Sequence, residues 1–80
     1  MKTFTIEYVA MLRERAGRRE ESVTINAGTA AEVFADARKR YGFSFDETSL
    51  RVAINDRISK WSDRVESGDR LLFLPPSSGG

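Results

Sequence analysis

Apolar and polar residues alternate from the start of the chain. Over Lys2 to Val9, Phe4, Ile6 and Tyr8 fall on one side and Thr3, Thr5 and Glu7 on the other. A period of two in β-branched and aromatic residues predicts a half-buried strand. Met11 to Ala16 has room for a turn or two of helix, closed by Gly17 as a left-handed cap. Arg18 to Glu21 is charged and turn-like, and Arg18 and Arg19 read as turn solubilisers. Alternation then returns over Glu21 to Asn26, with Val23 and Ile25 inward and Ser22 and Thr24 outward. Two strands this close in sequence predict an antiparallel pair.

The period then changes. Ala30, Val33, Phe34, Ala37 and Tyr41 recur at helical spacing and form one apolar stripe. Thr29 and Glu32 supply a capping box at its start. Asp36 and Arg40 form an exposed i,i+4 pair, and Lys39 and Arg40 suit the negative end of the helix dipole. Gly42 supplies the stop. Phe43 to Ser49 is irregular. Leu50 to Asn55 predicts a strand with Val52 and Ile54 on one face. Asn55-Asp56 marks a turn, Arg57 to Trp61 a short strand, and Glu66-Ser67-Gly68-Asp69 a second turn. Arg70 to Leu74 is the last strand, ended by Pro75-Pro76, which cannot donate to a ladder. One strong helix among more numerous strands predicts an α+β roll: a single mixed sheet packed against one main helix, its other face open.

Length and composition narrow the function. Eighty residues leave room for one domain, 1–80, with neither repeat nor linker. Thirteen basic and twelve acidic side chains give a net charge of +1, which argues against nucleic-acid binding through a basic face. No apolar run is long enough for a membrane span and no leader-like segment follows Met1-Lys2, so the expected location is the cytoplasm. The chain has no Cys and no His. Thiolate nucleophiles, histidine bases and Cys/His metal sites are therefore excluded. Binding or carrying is a better expectation than autonomous catalysis, with no metal and no bound cofactor.

Two segments carry candidate function. Leu71 to Gly80 holds no charged side chain, in a chain that is 31% charged. Pro75 and Pro76 stiffen the base of a tail, 75–80, whose Ser77, Ser78, Gly79 and Gly80 are all small. Extended, it reaches roughly 20 Å, and it suits a narrow pocket in another protein. Serine and glycine are equally common in frayed ends, and composition leaves both readings open. The last strand is apolar on both sides: Leu71 and Phe73 on one, Leu72 and Leu74 on the other. One pair packs on the helix; the other faces a partner or lies under a loop such as Phe43 to Ser49. Leu72, Phe73 and Leu74 are therefore the partner-contact candidates, with Leu74 expected at the sheet edge and at the root of the tail.

The chain also resembles the ubiquitin-like β-grasp sulfur carriers, and among them most the small subunits of molybdopterin synthase. The matching residues are Tyr8-Val9-Ala10-Met11-Leu12-Arg13-Glu14-Arg15-Ala16-Gly17, Gly28-Thr29, Val52-Ala53-Ile54-Asn55, Gly68-Asp69, and Leu74-Pro75-Pro76 running to Gly79-Gly80. Trp61 and its surroundings match nothing in that pattern. The resemblance implies a β-grasp fold and chemistry at Gly80. An ATP-dependent adenylating enzyme activates the terminal carboxylate, a sulfur-donor protein converts it to a thiocarboxylate, and a large catalytic subunit receives the tail. Gly79 would belong with Gly80 to the reacting end, Pro75, Pro76, Ser77 and Ser78 would contact that subunit along the path of the tail, and Arg13 would contact its rim. Sulfur carriers for thiamine, cysteine or tungsten-cofactor synthesis share this terminus, as do ubiquitin-like protein modifiers, and the sequence leaves the acceptor open.

Overall fold

The computed structural model describes residues 1–75. In chain order it contains β1 (Lys2–Glu7), α1 (Ala10–Ala16), β2 (Glu20–Ile25), α2 (Ala30–Tyr41), a 3-10 turn (Glu47–Ser49), β3 (Arg51–Ile54), β4 (Arg57–Ser59) and β5 (Arg70–Leu74). The strands form one mixed sheet in the order β2-β1-β5-β3-β4. β1 and β5 run parallel, and the other three pairings are antiparallel. This is the expected α+β roll. The parallel pairing corrects one expectation: β5 is the central strand, so Leu74 lies at a strand end in mid-sheet, not at an edge.

Each element follows from its residues. The Thr29 hydroxyl accepts from the Glu32 amide at 3.3 Å, and Glu32 Oε1 accepts from the amides of Thr29 and Gly28 at 3.1 and 2.6 Å. The next free amides of the first turn, those of Ala30 and Ala31, donate to the carbonyls of Asp63 and Trp61 at 3.0 and 2.9 Å. Helix starts leave such donors without an intrahelical partner, and here a distant loop accepts them. Gly42 ends α2 at φ 70°. β3 turns into β4 through Asn55 and Asp56, both at positive φ, which suits a two-residue hairpin.

The core lies between α2 and one sheet face. Phe4, Ile6, Tyr8, Val52, Leu71 and Phe73 meet Ala30, Val33, Phe34 and Ala37, all essentially excluded from solvent. Each large side chain buried here contributes about 1.5–3 kcal/mol. Phe34 and Phe73 meet edge to face at 5.1 Å. Phe43 packs on the same side, against Tyr8, Phe34 and Tyr41. The 43–49 segment thus closes the helix side of the sandwich instead of covering the open sheet face. Trp61, which the sequence left without a role, contacts Phe34 and Phe73, and its Nε1 donates to the Leu50 carbonyl at 3.3 Å. Val65 is fully buried, and its amide donates to the Gly28 carbonyl.

Candidate functional site

The site begins with the alternation along β5. Leu71 and Phe73 are fully buried, whereas Leu72 and Leu74 on the opposite face are half-buried. Phe73 is therefore not a partner contact as the sequence suggested. Its ring is locked among Phe34, Trp61 and Tyr8 in the core, and presenting it would require unfolding. Leu72 and Leu74 are the outward residues.

Strand register extends their face sideways. Leu72 pairs with Ala53, and Ala53 with Ile58. Directly paired residues share a sheet face, so these three form an apolar row, with Leu74 one rung beyond. Ile58 is 63% exposed. Sequence reading assigned Ile58 and Ala53 no function; the signal was present only as an apolar residue in a three-residue strand, which alternation cannot place on a face.

Charges frame this row. On its β1 side, Arg70 Nη1 bridges Glu7 Oε1 at 3.2 Å and Glu20 Oε2 at 2.6 Å. Hydrogen bonding to Glu20 is the main reason the guanidinium is held above its ordinary value. Arg51 pairs in register with Leu74 and is exposed. Arg13 lies on α1, just past the end of β1, where its Nε donates to the Tyr8 carbonyl at 3.3 Å. Because β1 and β5 run parallel, with Glu7 beside Leu72, α1 begins at the end of the sheet from which Pro75 leaves. Arg13 thus stands at the root of the tail. Pro75 is half-buried. Pro76, Ser77, Ser78, Gly79 and Gly80 lie outside the described residues.

A second polar cluster sits on the helix side. The Glu21 carboxylate, its side chain only 6% exposed, accepts from Tyr8 at 2.6 Å, Tyr41 at 2.8 Å and Arg40 at 3.0 Å. Arg40 also pairs with Asp36 at 2.7 Å, as the i,i+4 spacing predicted. Burial pushes the Glu21 carboxyl up, but these hydrogen bonds outweigh it and hold it below the ordinary glutamate value. Burial, and then the bond to Glu21, push both phenols above the ordinary tyrosine range. Every donor and acceptor here is satisfied, which marks a structural clamp between β2, β1 and α2. Among the described residues, no helix is long and apolar enough to cross a membrane.

The family model described as the ThiS family matches residues 6–80. The chain belongs to the ThiS family. It is a small ubiquitin-like sulfur carrier of the β-grasp fold. Solved structures agree in shape. Small archaeal modifier protein 1 of Haloferax volcanii superposes with a TM-score of 0.82 at 18% identity, covering 96% of this chain and 100% of that one. A chain of the Amycolatopsis orientalis BexX/CysO complex gives 0.69 at 25% identity, covering 96% and 99%. A chain of the complex of subunits 1 and 2 of the molybdopterin-converting factor from Helicobacter pylori gives 0.65 at 19% identity, covering 98% and 99%. No curated protein matches the sequence.

Proposed function

We propose that this chain is the sulfur-carrying, non-catalytic small subunit of a molybdopterin synthase, working in the cytoplasm through Gly80. The observation that carries the reading is the apolar row Leu72–Ala53–Ile58, with Leu74 leading directly into Pro75. A docking face continuous with the root of a thin, uncharged tail suits a protein that seats on a partner and inserts its terminus. The Helicobacter pylori structure, a complex of two converting-factor subunits, supports a large catalytic subunit as that partner.

The chemistry requires little of the chain itself. A Gly80 carboxylate oxygen attacks the α-phosphorus of ATP in the adenylating enzyme, and pyrophosphate leaves. A sulfur nucleophile at the hydrosulfide level, supplied by a donor protein, then attacks the acyl carbon. The C–S bond forms as the C–O bond to AMP breaks, with no net change in oxidation state. The thiocarboxylate so formed is a tethered sulfur nucleophile for a pterin precursor in the large subunit, and hydrolysis returns the carboxylate. Partners supply ATP and the catalytic groups, which is how a chain without Cys or His takes part. Gly79, Ser77, Ser78, Pro75 and Pro76 keep the path narrow, while Leu72, Leu74 and Arg13 contact the partner.

Intact mass after incubation with ATP, an adenylating enzyme and a sulfur donor tests the reading. Replacement of one oxygen by sulfur at Gly80 is the expected result; an unchanged mass overturns it. The likeness to an archaeal modifier protein favours a second reading, attachment to lysines through Gly80. Lysine-linked conjugates in cells, without pterin product, would be its signature.

A further inference from the structure

The two arginines on the open face are not equivalent. Arg70, at the start of β5, is held between Glu7 and Glu20. One positive charge against two negative charges leaves the β1–β2 side of the face at −1. Arg51, across the central strand on β3, pairs in register with Leu74 and makes no ion pair among the described residues. The Leu72 rung therefore runs across the sheet from Glu20 and Glu7, through Leu72 and Ala53, to Ile58, and Arg51 stands on the next rung of the same face, an unpaired cation beside Leu74 and the tail exit.

We infer that Arg51 is a specificity contact, pairing with a carboxylate on the large subunit at the lip of the pocket that takes the tail. The inference rests on the reading under Proposed function and adds the chemistry its partner must present there. A partner that closes over Leu74 removes water from the neighbouring guanidinium. An arginine dehydrated without an acceptor is strongly unfavourable. A lip carrying a carboxylate recovers this through a charge-assisted, geometrically defined pair. A wholly apolar or basic lip does not. The same residue that steers the right partner thus rejects wrong ones. The acidic side at Glu7 and Glu20, on β1 and β2, gives the face a second pole, so that it is matched in one orientation only. In that orientation Pro75 points toward the acidic lip.

Association kinetics with the large synthase subunit of the same organism test this, at about 0.05 and 0.2 M salt, where screening lengths differ about twofold. Arg51→Gln should slow association roughly tenfold at the lower salt and flatten its salt dependence, with unchanged melting. Arg51→Glu should slow it further, and reversing one lip carboxylate to lysine should restore its rate. Ile58→Asp, at an exposed position on the same row, reports separately whether this face is used. If Ile58→Asp blocks binding while both Arg51 variants associate like the parent at both salts, the Arg51 inference is overturned and the docking face stands. If Ile58→Asp binds normally, or the parent does not bind, the functional reading fails and the inference with it.

Discussion

Tyr8 and Glu21 are joined by a 2.6 Å hydrogen bond from the phenol to Oε1, and the same carboxylate accepts from Tyr41 and Arg40. A carboxylate held below its ordinary value binds its proton less tightly when folded than when unfolded. Its contribution is complete above the unfolded value, ~4.3, and is lost as pH falls through the depressed folded value. Urea midpoints should therefore stay level from neutral pH to about 5 and then decline. Glu21→Gln should cost about 1.5–3 kcal/mol at pH 7, since it weakens bonds to a charged acceptor, and should make the acid decline shallower. An unchanged acid limb would mean that other carboxylates govern it.

Thr29→Ala should cost roughly 1 kcal/mol by removing the hydroxyl that caps α2. Gly80 chemistry in the folded fraction should be unaffected, because the cap lies on the side of the fold opposite the open face. Equilibrium denaturation measures the loss, and thiocarboxylate formation checks that it stays structural.

Asn55→Ala should be more costly than its exposure suggests. Asn55 Oδ1 accepts from the Arg70 amide at 2.9 Å, and Nδ2 donates to Asp69 at 3.0 Å. Its φ of 52° is also one that asparagine tolerates better than alanine. About 1–3 kcal/mol is expected from the bonds and the backbone together. Asn55→Gly, which relieves the backbone and still loses the bonds, should fall between; equal melting for all three proteins would contradict this assignment.

Leu74→Glu should weaken binding to the large subunit far more than it lowers stability. Leu74 is half-buried in mid-sheet, and the new carboxylate would face Arg51 across the β3–β5 pair, which offsets its cost in the free protein. At a closed apolar interface the same charge is unfavourable by several kcal/mol. Calorimetric affinity beside the melting temperature separates the two effects. A collapse in melting with unchanged affinity would place Leu74 in the core.

One residue added after Gly80 should abolish sulfur donation and leave folding and docking intact. It moves the reacting carbon by about 3.3–3.6 Å, where ~1 Å can cost ~100-fold. Deleting Gly80 should act likewise by drawing the carboxylate back. Gly79→Ala should give partial loss if Gly79 takes a conformation favoured by glycine. Pterin product per carrier is the readout, with circular dichroism to check the fold. Full activity in the lengthened and shortened proteins would show an inert tail.

Local physics was legible along the chain. Alternation marked β1 and β2, the spacing of Ala30, Val33, Phe34 and Ala37 marked α2, and Thr29 with Glu32 marked its start, because each rests on neighbours a few residues apart. The family pattern was legible as well. Tertiary structure alone decided which apolar side of β5 faces out, since Leu71–Phe73 and Leu72–Leu74 are equally apolar until α2 takes one of them. It moved Leu74 from edge to centre, because the parallel β1–β5 pairing joins the two ends of the chain. It gave Trp61 and Val65 their places through hydrogen bonds to residues more than ten positions away. It also turned Glu21 inward. Glu21 shares the parity of Val23 and Ile25, yet burying a carboxylate is unfavourable until Tyr8, Tyr41 and Arg40 arrive from other elements to satisfy it.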